Sequence, residues 1–276
     1  MNLRSGTLGL TLALLATALR ADPPAPELVL RINGRFAQAA PVPLWQGEPV
    51  IAEVLLRNRG PADGPAIGLA PPAGSWAARV TVTARDRTGV STVWAFAVVG
   101  RTSAGALALQ PRAVTTLLLR LDPAASATIA PGRQDLTARL DLADGTGWRG
   151  VADSEPVAIE IVAPPALPEG EALVHQQLLR VRAALLAHDF AAAEAAANVL
   201  LAADRMRPEG FLALALLHEA RGERLLALDN LDAAVARATG LPQDGPAPGA
   251  AAPKPQPIPL EYYDLRQRIE ALPDSP

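Results

Sequence analysis

The residues that could do chemistry are few in this chain. His175, His188 and His218 are its only histidines and Lys254 is its only lysine. Cysteine is absent, which excludes disulfides, thiolate zinc sites and a cysteine nucleophile. His218-Glu219 lacks the second helical histidine of a zinc protease, and the three histidines stand too far apart in register to share a metal. Asp141-Leu142-Ala143-Asp144-Gly145 does not have the alternating acids of a calcium loop, and turn chemistry explains it. Ser75, Ser91, Ser103, Ser126 and Ser154 lack the glycine frame of a nucleophile elbow. Gly145-Thr146-Gly147-Trp148-Arg149-Gly150 matches the dinucleotide-binding glycine pattern letter for letter. That pattern works when a helix follows and turns its N-terminus to the pyrophosphate. Here Val151-Ala152-Asp153-Ser154-Glu155-Pro156 leads into a strand, so the segment reads as a glycine-rich connection. Catalytic residues, a bound metal and a cofactor are not expected.

Aromatic platforms are the next possibility, because apolar sugar faces stack on rings. Trp45, Trp76, Trp94 and Trp148 all lie within residues 26–163, the β-rich region of the chain. Trp94 shares an alternating run with core-type residues. Trp148 beside Arg149, in a loop, is the exposed candidate for binding a carbohydrate or a surface.

Whatever function there is must rest on binding surfaces, and the composition limits these. Half of the 276 residues are hydrophobic, 4% are aromatic and 19% are charged, with a net charge of −3. This excludes a general nucleic-acid binder and a wholly disordered chain. Residues 1–21 read as an export signal: Arg4, an apolar run from Leu8 to Leu19, and small-residue cleavage sites ending at Ala18 or Ala21. The run is short for a bilayer core, which takes about 20 helical residues. A short retained anchor is the competing reading. The expected location is the periplasm or the exterior.

Residues 26–163 hold seven β-rich runs punctuated by Pro and Gly. They lie at Leu28–Ile32, Val50–Leu56, Val80–Ala84, Ser91–Val99, Val114–Leu121, Arg133–Leu142 and Pro156–Val162. Their period of two predicts antiparallel sheets with one covered face, packed as a sandwich. Gly47-Glu48-Pro49-Val50, Arg57-Asn58-Arg59-Gly60, Pro131-Gly132 and Ser154-Glu155-Pro156-Val157 resemble the strand boundaries of immunoglobulin-like or fibronectin-III-like modules in exported bacterial proteins. The cysteine pair and tyrosine corner of antibody domains are missing.

Ala163–Pro168 is a stiff Pro-rich hinge, with 164–168 as the boundary. Beyond it, residues 169–240 change to helical periodicity. Asp189 is placed to cap a helix from Phe190 to about Ala203, Pro208 to start one, and Gly222 to stop one. At an offset of about 34 residues, His188 meets Gly222, Ala193 meets Ala227 and Ala197 meets Leu231. Phe211, Leu214-Ala215, His218, Gly222, Ala227, Leu231 and Ala234 together resemble one tetratricopeptide repeat, with a looser copy before it. A generic Ala-rich four-helix bundle is the alternative. Residues 241–259 form a Pro-rich loop. Residues 260–272 are amphipathic and read either as a cap docking 258–269 on the helical pair or as a free ligand.

The fold class implied is multidomain, all-β followed by all-α. In the tetratricopeptide resemblance the first helices of each pair line a concave groove. Here that groove consists of His175, Leu178, Leu179, Arg182, Leu212, Leu216 and Glu219. It lacks the Lys/Asn/Arg set with which such domains clamp a terminal carboxylate. The expected function is a non-catalytic interaction or scaffold protein of the bacterial envelope that binds a protein or peptide segment. The alternatives are a carbohydrate- or surface-binding module and an enzyme accessory subunit.

Overall fold

Alternation along the first half of the chain sends every second residue to one shared interior. The computed structural model describes residues 25–36, 40–100, 105–239 and 260–273. The expected leader at 1–21 and the loop at 241–259 lie outside the described residues. The strands are β1 (Glu27–Ile32), β2 (Val42–Trp45), β3 (Val50–Arg57), β4 (Ile67–Leu69), β5 (Val80–Asp86), β6 (Ser91–Trp94), β7 (Ala97–Val99), β8 (Leu107–Leu109), β9 (Val114–Leu121), β10 (Gly132–Asp141), β11 (Val151–Asp153) and β12 (Val157–Val162). One sheet runs β1-β3-β9-β7; the other runs β2-β12-β10-β5-β6, with β11 on β10. The ribbon β4–β8 adds Ile67, Leu69 and Leu109 to the same core. Leu30, Leu56, Leu119, Leu136, Leu140 and Ile159 meet there, each almost wholly buried.

All seven expected runs carry strands. β2, β4, β8 and β11 are additional, and at three or four residues they are too short to display a period. A short helix, α1 (Pro123–Ala127), also interrupts the β region, capped by the Asp122 side chain. β2 pairs with β12 in parallel, so the sandwich is not purely antiparallel. The run at 91–99 is split between sheets: Trp94 pairs with Val82 on β5, whereas Val98 pairs with Leu119 on β9. Trp94 and Phe96 stack at this corner, 6.1 Å apart.

The glycine pattern at 145–150 has a structural cause. Trp148 N–H donates to the Gly68 carbonyl at 2.7 Å, and a Cβ on Gly147 would lie 2.2 Å from that oxygen. The chain continues into β11, not a helix.

Beyond the hinge come α2 (Gly170–Leu186), α3 (Phe190–Ala203), α4 (Pro208–Arg221), α5 (Arg224–Thr239) and α6 (Leu260–Glu270). Asp189 caps α3 by accepting from Ala192 N–H, Pro208 opens α4, and Gly222 closes it in the left-handed region. α2–α3 and α4–α5 form two hairpins, with α3 against α4. Positions about 34 residues apart share their burial: Ala193 and Ala227, Ala197 and Leu231, Val181 and Ala215 are all at 0% exposure. α6 lays Tyr262, Leu265 and Ile269 against Ala215, Ala227 and Leu231. Arg266 pairs with Asp232 across this contact, and Arg268 pairs with Glu219 on α4.

The two interhelical turns place different residues at their left-handed position. His188 holds φ at 56°, where Gly222 in the second hairpin holds 76°. A side chain in this region costs about 1 kcal/mol, which glycine avoids. His188→Gly is therefore expected to stabilise the protein by about 0.5–1 kcal/mol, read as a higher Tm. A lower Tm would mean that the edge contact of His188 with Phe190 outweighs the strain.

Candidate functional site

A desolvated carboxylate joins the sandwich to the helices. Glu48 lies in the turn before β3 and is only 5% exposed. Its Oε1 and Oε2 accept from the Arg180 guanidinium of α2 at 2.6 and 2.9 Å. Gln176 Nε2 donates to Oε1 at 2.6 Å, and Ser126 Oγ donates to the Glu48 carbonyl at 2.6 Å. The Glu48 hydrogen bond holds the Arg180 guanidinium above its ordinary pKa. Around this polar centre Ile51 packs on Leu179 and Ala183, and the Trp45 ring meets His175 edge to face. α2 thus lies on the outward face of the first sheet.

Two clefts flank that contact. One, of about 560 Å³, opens between α2, α3 and the Gly47–Pro49 turn, and alanine is its commonest lining residue. The other, of about 430 Å³, is enclosed by β3, β9, α2, α4 and the end of α6. Ile51 and Leu118 contribute the sheet side of its apolar wall, Leu179, Leu185 and Leu186 the α2 side, and Leu216 and Ala220 the α4 side. Its polar members are Asn33, Glu53, Arg182, Glu219 and Arg268. Glu53 is paired with Arg31 at 3.5 Å, and Glu219 with Arg268 at 2.6 Å. Arg182 has no hydrogen-bond or ion-pair partner among the described residues.

Four of the seven groove residues read from the sequence, Leu179, Arg182, Leu216 and Glu219, line this second cleft. The other three do not. Leu178 packs between α2 and α3, Leu212 packs in the α4–α5–α6 cluster, and His175 lies against Trp45. The expected concave surface is covered by the sandwich along α2 and by α6, the segment read as a cap or a free ligand, along α4. The sandwich residues were missed, although β3 carried a signal. Val50 to Leu56 is apolar on both faces apart from Glu53, the pattern of a strand covered on both sides. Arg268 had no such signal.

Trp148 requires a correction. It is not an exposed platform: its side chain is 8% exposed and belongs to the sandwich core, beneath the Gly68 contact. Arg149 beside it is exposed. Trp76 and Trp94 are buried as well. Among the histidines, His218 Nδ1 lies 2.5 Å from Glu223, and His188 occupies the interhelical turn. Among the described residues no group of three potential metal ligands converges, and no helix is long and apolar enough to cross a membrane.

No family model matches the chain, and no curated protein does. A family 123 glycoside hydrolase from Clostridium perfringens aligns with 58% of this chain and 33% of its own, at 7% identity and a TM-score of 0.30. The major subunit of aggregative adherence fimbriae type I from Escherichia coli aligns over 51% and 97% of the two chains, at 9% identity and a TM-score of 0.28. The sporulation control protein from Bacillus subtilis aligns over 58% and 56%, at 13% identity and a TM-score of 0.28. The chain spans about a third of the hydrolase. Likeness at this level assigns no activity to the chain.

The junction generates two predictions. Glu48→Ala removes the acceptor of Arg180 and leaves the buried Gln176 amide unpaired. Chemical denaturation is expected to show a loss of about 2 kcal/mol, and an unchanged midpoint would refute the structural role. The second concerns His175. Burial, then the charges of Arg35 and Arg182, hold its imidazole below the ordinary value. The unfolded chain therefore binds this proton more tightly. Stability is complete above about pH 6.5 and declines as the pH falls from there to the lowered pKa. His175→Phe keeps a ring against Trp45 and should shrink the drop in Tm between pH 7.5 and pH 5. An identical drop in both proteins would exclude His175 as its source.

Proposed function

We propose that this chain is a non-catalytic interaction protein of the bacterial cell envelope. It is exported by residues 1–21 and holds a partner segment between an immunoglobulin-like sandwich and tetratricopeptide-like helices. The observation that carries the reading is the 430 Å³ cleft at the junction, lined by Leu179, Arg182, Leu216 and Glu219. Its size is within the range of about 300–1,000 Å³ usual for ligand-holding clefts, and its lining combines an apolar wall with few polar groups. The balance of charges supports binding over catalysis. Both cleft carboxylates are held by arginines, so neither is poised as a general base. The tetratricopeptide likeness is supported by the matched burial of the two hairpins and by the positive φ shared by His188 and Gly222.

Ala220 stands at the exposed side of this cleft, and a large side chain there would occupy it. Ala220→Trp is expected to keep the Tm and to lower recovery of the specific partner by about tenfold or more, equivalent to 1.4 kcal/mol. The measurement is crosslinked affinity purification from the envelope fraction, with Leu225→Trp on the exposed face of α5 as control. Undiminished recovery by Ala220→Trp would overturn the cleft assignment.

A further inference from the structure

The chain as a whole is acidic, at a net charge of −3, yet the charges left over around the 430 Å³ cleft are positive. Arg31 neutralises Glu53 and Arg268 neutralises Glu219. Arg182 on α2 and Arg35 on the turn after β1 have no counterion among the described residues. The backbone brings these two together. Asn33 and Gly34 both adopt positive φ, 49° and 78°, in a tight turn closed by paired hydrogen bonds between Ile32 and Arg35. A Cβ on Gly34 would stand 3.6 Å from Arg182 Nη1, so the turn lies directly beside that guanidinium. Both arginines also bear on His175, and both depress its protonation. Arg182 thus lines an apolar cleft and Arg35 follows directly on its lining residue Gly34, two cations without a counterion among the described residues in a molecule of opposite net sign.

Asn33 adds a third polar element. Its Oδ1 is occupied by the Ile51 N–H at 2.9 Å, and its Nδ2 donates to no described residue. An unengaged amide donor suits a backbone carbonyl. A guanidinium presents a planar fork that matches a carboxylate.

We propose that the occupant of this cleft is an acidic–apolar peptide segment of a partner protein. It places an Asp or Glu side chain on Arg182 and Arg35, a backbone carbonyl on the Asn33 amide, and an adjacent apolar side chain against Ile51, Leu118 and Leu216. The proposal rests on the cleft reading above and adds the chemistry of the guest. A simple aliphatic acid would use the arginines and the apolar wall but leave the Asn33 amide idle.

The test uses the full chain and three fluorescent heptapeptide libraries that alternate Leu, Val or Phe with Asp/Glu, with Asn/Gln, or with Lys. All peptides are acetylated and amidated, so only side chains carry charge. Binding is read by fluorescence anisotropy on the wild type, an Arg35→Gln/Arg182→Gln double variant and Ala220→Trp, with the Tm of each as a fold control. The acidic library is expected to bind about tenfold or more above the Asn/Gln library. The double variant should abolish that margin, and Ala220→Trp should abolish binding. Equal binding of the acidic and Asn/Gln libraries would overturn the charge inference and leave the cleft reading standing. Acidic peptides that still bind Ala220→Trp would place their site elsewhere and overturn the proposal. No binding by any library would overturn both readings. Dodecanoate binding in place of peptides would overturn the peptide identity of the guest.

Discussion

Taking the carboxylate of Glu48 out of water costs several kcal/mol unless charge and hydrogen bonds replace its hydration. Arg180, approaching through two nitrogens, and Gln176 replace it from α2, while Ser126 fixes the Glu48 backbone from within the sandwich. Glu48 and Arg180 are 132 residues apart in the chain. An interaction of this kind adds little net stability over an apolar pair, but it penalises every alternative seating of the two parts. The position of α2 on the first sheet, and the shape of both flanking clefts, depend on it.

Around that pair, each part of the molecule covers apolar surface that another part cannot. The first sheet turns Ile51 outward, and Leu179 and Ala183 cover it. Two helical hairpins alone would leave the open side of α4 and α5 in water, and Tyr262, Leu265 and Ile269 of α6 close it. The 430 Å³ cleft is the space where these coverings fail to meet, with β3 and β9 on one side and the ends of α4 and α6 on the other. A site of this sort belongs to no single module.

How much of this could be read in advance varies residue by residue. The runs containing Leu28, Val82, Leu119 and Ile159 alternate, and all four side chains are buried in the core. Asp189, Pro208 and Gly222 mark helix ends because capping chemistry acts within a few residues. Trp148 could not be read in this way. A tryptophan in a glycine-rich loop looks exposed until the close approach of Gly147 to Gly68 turns it inward. Of the expected groove, Leu179, Arg182, Leu216 and Glu219 do share a cleft, but the walls opposite them come from β3, β9 and α6. The doubly apolar reading of β3 was present in Val50–Leu56, yet nothing in it says which element provides the cover.

The sequence by itself determined the periods, the breaks between them and the helix caps, because those follow from side-chain spacing and backbone chemistry within a few residues. It also determined the exclusions that absent cysteine and scarce histidine and lysine impose. Tertiary structure decided which apolar faces are covered, which arginines find a carboxylate and which are left without one. Those outcomes depend on pairings such as Glu48 with Arg180 and Gly34 beside Arg182, between residues far apart in the chain. Burial and charge compensation are properties of the assembled surfaces, so they are settled only when the sandwich and the helices meet.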